Sequence, residues 1–450
     1  MNRSSSRIGI ALAALLAIFL AAFAWIAFGP GPMDFAGGRT VALDTYAGPN
    51  PAGVPAGLAK SDIVARGEYL TRAADCEVCH TAKGGRPFAG GLAFNLPFGA
   101  LYSPNITPDV ETGIGAWSDA DFLAAVHQGI ARDGTRLYPA FPYAAYTYLT
   151  DADALAIKAY LFSLAPVRYT PPANTLAFPF NQRWLMAIWS FLFNPDQRFQ
   201  PHPDRSAQWN RGAYLAEALG HCGDCHTPRN LLQALDNREK FAGAVAAGWR
   251  AYNITSDRPT GIAAWSDGEL ADYLSAGHAL GHGTASGPMG EVVDFSLNHL
   301  TPDDVGAIVA YLRTVPPVSA PDLSAKLAGP APSAPKQGVV AGFDPRGKMI
   351  FAGACASCHS WTGESALTPY ATLTGAHAVN DPSAINVAQI VLSGTRRRTP
   401  QGAVFMPAFG HAYSNVEIAA VANYVTARFG AQTSNVTPAD VANLRRQTAE

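Results

Sequence analysis

Cys76-Glu77-Val78-Cys79-His80, Cys222-Gly223-Asp224-Cys225-His226 and Cys355-Ala356-Ser357-Cys358-His359 are three copies of one pattern, C-x-x-C-H, and together they use all six cysteines of the 450-residue chain. The pattern is the attachment signature of a c-type haem. Two thiols add across the haem vinyl groups, and the adjacent histidine reaches the iron as proximal ligand. A structural zinc needs four nitrogen or sulfur ligands, and each motif offers three with no fourth cysteine nearby. A redox-active cysteine pair has no need of a histidine after it each time. The reading is three covalently bound haem c groups, attached at Cys76, Cys79, Cys222, Cys225, Cys355 and Cys358, with His80, His226 and His359 on the irons.

The chain is long enough for about three domains, the count that the motifs give independently. A net charge of −2 with 15% charged residues points away from nucleic acid. Arg3 and Arg7 precede an uncharged apolar run, Ile8 to Phe28, of 21 residues. That exceeds the usual hydrophobic core of a signal peptide and is long enough to cross about 30 Å of hydrocarbon. Ala22-Phe23-Ala24 offers a cleavage-like site. Residues 1–30 are read as an N-terminal transmembrane anchor or signal, with an uncleaved anchor preferred and Arg3 and Arg7 cytoplasmic. The rest then lies on the periplasmic side of the inner membrane, where bacteria attach haem c.

The chain repeats itself. Arg66-Gly67-Glu68-Tyr69-Leu70 recurs as Arg211-Gly212-Ala213-Tyr214-Leu215 and weakly as Arg346-Gly347-Lys348-Met349-Ile350, each about one helix before a cysteine. Ala159-Tyr160-Leu161, Ala310-Tyr311-Leu312 and Asn423-Tyr424-Val425 close the units on predicted helices. A glycine on the first helix lets the aromatic on the last approach closely. This is similar to the cytochrome c fold, so the expected class is all-α: three consecutive cytochrome c-type domains with an N-terminal membrane helix. At an offset of 148 residues, Asn105-Ile106-Thr107 matches Asn253-Ile254-Thr255, and Trp117-Ser118-Asp119 matches Trp265-Ser266-Asp267, with Ser or Asp as helix N-cap. The domains run over 60–167, 208–316 and 343–431, joined by a linker at 168–207 and a Pro/Ala-rich linker at 317–342, with a tail helix at 432–450. The apolar stretch Trp184–Phe193 is too short to span a membrane. It is read as a helix buried between domains, with contact to a partner or a membrane surface as the alternative.

His/Met ligation raises a haem's potential and suits electron transfer. Met289, 63 residues after His226, and Met406, 47 after His359, lie in equivalent loops and are the expected axial sulfurs. The 148-residue offset carries Phe141 onto Met289. A phenyl ring cannot coordinate iron, so the first haem is five-coordinate, bound by water, or bound by another side chain. His127 is the candidate sixth ligand, although a histidine there is more often an ordinary helix residue. Arg396-Arg397-Arg398 reads as a docking patch by the third haem, a propionate partner or a solvated face. No acid–base or nucleophile constellation emerges, so no catalytic residue is expected.

With these residues in hand, the chain from about 62 to 430 resembles the triheme cytochrome c subunit of bacterial membrane-bound alcohol, aldehyde and sugar-acid dehydrogenases. Pro87-Phe88-Ala89-Gly90-Gly91, Asn105-Ile106-Thr107-Pro108-Asp109, Leu137-Tyr138-Pro139-Ala140, Gly220-His221-Cys222 through Arg229, and Met406-Pro407-Ala408-Phe409 carry the resemblance. It implies a larger catalytic subunit that oxidises the substrate, and electron delivery through the haems to ubiquinone or a further carrier. The partner's cofactor is molybdopterin with an iron–sulfur subunit, PQQ, or FAD. Segments such as Phe241-Ala242-Gly243 and Ala251–Thr255 look more like the type paired with molybdenum aldehyde dehydrogenases. Phe141 departs from the family's usual Met. A haem-based peroxidase-like enzyme and a free electron shuttle are the rival readings.

Overall fold

The computed structural model describes residues 3–27, 29–319, 344–399 and 402–448. Each repeat unit begins and ends on a helix, and the two cross: Ile63–Ala73 with Asp151–Ser163, Ala207–Ala213 with Pro302–Leu312, and Pro345–Ile350 with Asn415–Phe429. The repeated glycine is the cause. A Cβ on Gly67 would stand 1.9 Å from the Ala156 carbonyl oxygen and 3.0 Å from Tyr160 Cβ. On Gly212 it would meet Ala307 O at 1.9 Å and Tyr311 Cβ at 2.8 Å, and on Gly347 Ala420 O at 2.3 Å and Tyr424 Cβ at 2.9 Å. Only a residue without Cβ allows that approach.

Asn-Ile-Thr staples the chain beyond the closing helix. Asn105 Nδ2 donates to the Thr112 hydroxyl and the Val167 carbonyl, and Asn253 Nδ2 does the same to Thr260 and Val318. Ser118, Ser266 and Ser414 each open a helix with a reciprocal capping box.

The first two units share one hydrophobic core, and the third has its own. Across the shared core they exchange equivalent contacts. Tyr69 of the first donates to Asp304 of the second at 2.6 Å, and Tyr214 of the second donates to Asp153 of the first at 2.5 Å. Arg211 adds two donors to Asp304, at 2.8 and 2.6 Å, with the carboxylate buried.

The expectation of an all-α chain with an N-terminal membrane helix is corrected on both counts. Among the described residues four antiparallel hairpins interrupt the helices: β1 (Ala93–Leu96) with β2 (Gly99–Tyr102), β3 (Ala244–Ala246) with β4 (Trp249–Ala251), β5 (His278–Ala279) with β6 (Gly283–Thr284), and β7 (Thr395–Thr399) with β8 (Gly402–Met406). Glycines at positive φ sit in or beside their turns, among them Gly99, Gly248 and Gly402, and reverse the chain where a helix would otherwise propagate. Arg3–Ala27 is helical, but among the described residues no helix is long and apolar enough to cross a membrane. The end of that helix is tied to protein. Arg238 donates to the Trp25 carbonyl at 2.6 Å and lies 4.7 Å over its ring. A guanidinium is costly in hydrocarbon.

The Leu185–Phe193 helix is not buried between domains. Ser190 meets the Tyr143 hydroxyl and Trp189 donates to the Leu232 carbonyl, while Trp184, Ile188 and Phe191 are exposed. Most of the 317–342 linker lies outside the described residues. The tail helix, Pro438–Thr448, inserts Val441 and Leu444 into the third core.

Gly212→Ala must push the crossing backbones apart. It is expected to cost at least the ~1–3 kcal/mol of an overpacked core, read as the denaturant midpoint of the haem-loaded chain. Asp304→Ala removes the carboxylate partner of the part-buried Arg211, leaving its guanidinium only the Pro51 and Gly53 carbonyls, and is expected to cost about 3 kcal/mol. An unchanged midpoint in either would refute the corresponding contact as a determinant of the fold.

Candidate haem sites

The backbone prepares each motif. The helices leading into the second and third widen to a π turn at Tyr214–Leu219 and Phe351–Cys355, a local device common at functional sites. Asp75 and His221, directly before Cys76 and Cys222, take left-handed φ of 54° and 35°, a strained setting for non-glycine residues. Each motif then runs through one short helical turn. No disulfide joins any of the six cysteines. Burial pushes Cys76 and Cys222 up to about 12 and Cys225 and Cys355 up to about 11, so they stay protonated rather than thiolate. Among the described residues no group of three or more His, Cys, Asp or Glu is placed to hold a metal ion.

The three motif histidines are held alike. His80 Nδ1 lies 2.8 Å from the Pro104 carbonyl, His226 Nδ1 2.6 Å from that of Tyr252, and His359 Nδ1 2.6 Å from that of Ala371. A carbonyl only accepts, so Nδ1 carries the proton and Nε2 is left with the lone pair a metal needs. Burial lowers all three pKa values and keeps the rings neutral. Pro104 and Tyr252 stand immediately before the Asn-Ile-Thr staples, so those loops orient the proximal ligands. This role is carried by backbone and has no residue-type signal in the sequence.

One largely apolar cavity is lined by Cys222, Cys225, His226 and Met289 and, continuous with them, by Cys355, Cys358, His359 and Met406. Met289 sits in the first turn of the Gly287–Phe295 helix, and Met406 ends β8. Each methionine therefore shares a wall system with the histidine to which its spacing assigns it. The Nε–H of Arg397, on the same cavity, is buried with no hydrogen-bond partner, as a donor awaiting an anionic propionate would be. His282, stacked on Trp265 at 3.7 Å, and His377, whose Nε2 is buried without a partner, also line the cavity although spacing gave them no role. The residues fit haem.

In the first unit Phe141 packs edge-on to Tyr146 with ring centroids 5.5 Å apart, and Tyr146 donates to the Ala74 carbonyl at 2.6 Å. The charged neighbours of His127 all lie outside the first motif. Its Nδ1 faces Asp151 at 3.7 Å, Arg198 and Asp196 are its other charged neighbours, and its Nε2 is buried without a partner. The three arginines divide. Arg396 and Arg398 are exposed, whereas Arg397 is only 2% exposed. The period-two alternation of a strand was the available signal.

Paired cysteines outside any disulfide, neutral oriented imidazoles and thioethers on an apolar cavity define a c-type cytochrome, with haem c bound covalently. The cytochrome c family model matches residues 64–165 and 345–428. The chain is 39% identical over 404 residues to the gluconate 2-dehydrogenase cytochrome c subunit of Pantoea cypripedii, covering 86% of this chain and 90% of that one. It is 36% identical over 406 residues to the fructose dehydrogenase cytochrome subunit of Gluconobacter japonicus, covering 85% and 82%. It is 42% identical over 383 residues to a subunit of nicotinate dehydrogenase from Pseudomonas putida, 85% of this chain but 31% of that protein. The chain belongs to the family of cytochrome c subunits of dehydrogenases, and transfers electrons as such a subunit.

Burial lowers the His127 pKa to about 4, against about 6.5 in an unfolded chain. The neutral ring is favoured when folded, so stability is full above about pH 6.5 and falls as pH drops towards about 4. His127→Gln is expected to flatten that slope in acid unfolding and leave the haem spectra unchanged. A spectral change would restore it as a ligand. Phe141→Met is expected to raise one haem's potential in a redox titration and convert it to low spin. An unchanged spectrum would mean that the sixth position is already filled.

Proposed function

We propose that this chain passes electrons through three haem c groups, from a catalytic dehydrogenase subunit to ubiquinone, on the periplasmic side of the inner membrane. The observation that carries this reading is the common cavity of the second and third motifs. Haems seated there exchange electrons without a diffusing carrier. The first motif adjoins the second, with Tyr146 edge-on to His221 at 5.5 Å and donating to the carbonyl of Ala74, two residues before Cys76. The protein contributes spacing, burial and axial ligands, while the cofactor carries the redox chemistry.

For the partner we infer an aldehyde-oxidising subunit with molybdopterin and an iron–sulfur protein, on the strength of the Phe241–Thr255 stretch. A second reading has specific support. The relative matched over 90% of its own length belongs to a gluconate dehydrogenase, and quinone alcohol dehydrogenases contribute cytochrome c subunits 34% identical to this chain. A flavin or PQQ subunit is therefore the alternative partner.

The test is to purify the chain gently from its native source, identify the accompanying subunit and its cofactor, and add substrates anaerobically. An aldehyde that reduces all the haems of the complex, beside a molybdopterin subunit, is the expected result. Reduction by gluconate or ethanol instead would replace the partner assignment. No haem reduction by any substrate of the co-purifying enzyme would overturn the electron path.

A further inference from the structure

We propose that Arg397 of the third unit is a positioning residue that holds Met289 of the second unit in place at its haem. The inference rests on the reading of Met289 as an axial sulfur.

Arg397 reaches out of its own unit. Its Nη1 donates to the carbonyl of Gly290, the residue directly after Met289. Its Nη2 lies 3.2 Å from Asp294 Oδ1, one turn further along the same helix, and donates at 3.4 Å to the Ala276 carbonyl at the end of the preceding helix. One planar group thus ties both segments that frame the Met289 turn. Space has been cleared for it. Gly277, at φ 69°, would place a Cβ 2.2 Å from Nη2, and Gly290 one 3.3 Å from Nη1.

A buried guanidinium keeps its charge, and taking it out of water is expensive unless it is well bonded. This hairpin therefore has a strong preference for one seat on the second unit. In the β7–β8 register Arg397 pairs with Val404 and Thr395 with Met406. The strand that ends on the third unit's sulfur is hydrogen-bonded to the strand that anchors the second unit's. Arg397, Met289 and Met406 line the same cavity. A thioether is a soft, neutral ligand on a flexible side chain, so its bond to iron depends on how firmly its backbone is held, the office that outer-shell partners perform at metal sites generally.

The test uses the full haem-loaded chain. Met289→Ala and Met406→Ala first identify which haem potential belongs to which sulfur. Arg397→Gln is then expected to lower the potential of the Met289 haem alone, weaken the long-wavelength absorption band of sulfur-ligated ferric haem, and speed uptake of added imidazole. Arg397→Lys should recover some of each effect. If Arg397→Gln does not fold, Gly277→Ala decides. It keeps the charge but displaces the guanidinium, and the same haem must shift. An unchanged Met289 haem in a folded Arg397→Gln or Gly277→Ala chain, or a shift confined to the Met406 haem, overturns the proposal. If Met289→Ala itself moves no potential, the ligand reading has failed and the arginine has nothing to position.

Discussion

At Gly67, Gly212 and Gly347 two helix backbones pass so close that no side chain fits between them, and the rest of each unit is laid out from that crossing. The first helix runs from the glycine towards its C-x-x-C-H motif, so the crossing fixes where the thiols and proximal histidine emerge. The last helix brings Tyr160, Tyr311 or Tyr424 over the glycine, and the chain beyond the first two of these helices is stapled back by Asn105 or Asn253. Those staples hold the loops whose carbonyls, at Pro104 and Tyr252, set the tautomer of the ligand histidines. A contact between backbones is thereby transmitted to the nitrogen that faces the iron.

Much of this was legible in the sequence because it depends on residue identity at fixed spacing. The cysteines, the glycines with their distant tyrosines and the Ser N-caps are required by geometry that few other residues satisfy. What was not legible depends on direction. His127 has the right chemistry for a ligand, but its helix turns it towards Asp151. The length of the uncharged run Ile8–Phe28, which reads as a membrane span, carries no information about Arg238, which folds back from more than 200 positions away onto the Trp25 carbonyl. The hairpins were missed because their strands are two to five residues long, at or below the short end of the window in which alternation becomes readable.

The units are joined in two different ways. The first pair shares an apolar core and exchanges equivalent Tyr–Asp contacts, an arrangement that follows from duplicated helices meeting face to face. The third unit keeps a separate core and meets the second through polar contacts of defined direction. Asn386 both accepts from the Arg250 amide and donates to its carbonyl, and Gln389 donates to the Gly248 carbonyl. Arg397 is the deepest of these.

An apolar interface of the same size would be at least as stable, since buried ion pairs often do no better than well-packed hydrophobic residues. Apolar surfaces, however, tolerate sliding. A guanidinium that must meet the Gly290 and Ala276 carbonyls and the Asp294 carboxylate together accepts one registry. For two methionines that line one cavity, registry is the property that matters. Electron exchange depends on distance and potential on ligation, and a slip of either loop would alter both. The cost of burying Arg397 is best understood as the cost of specifying that geometry.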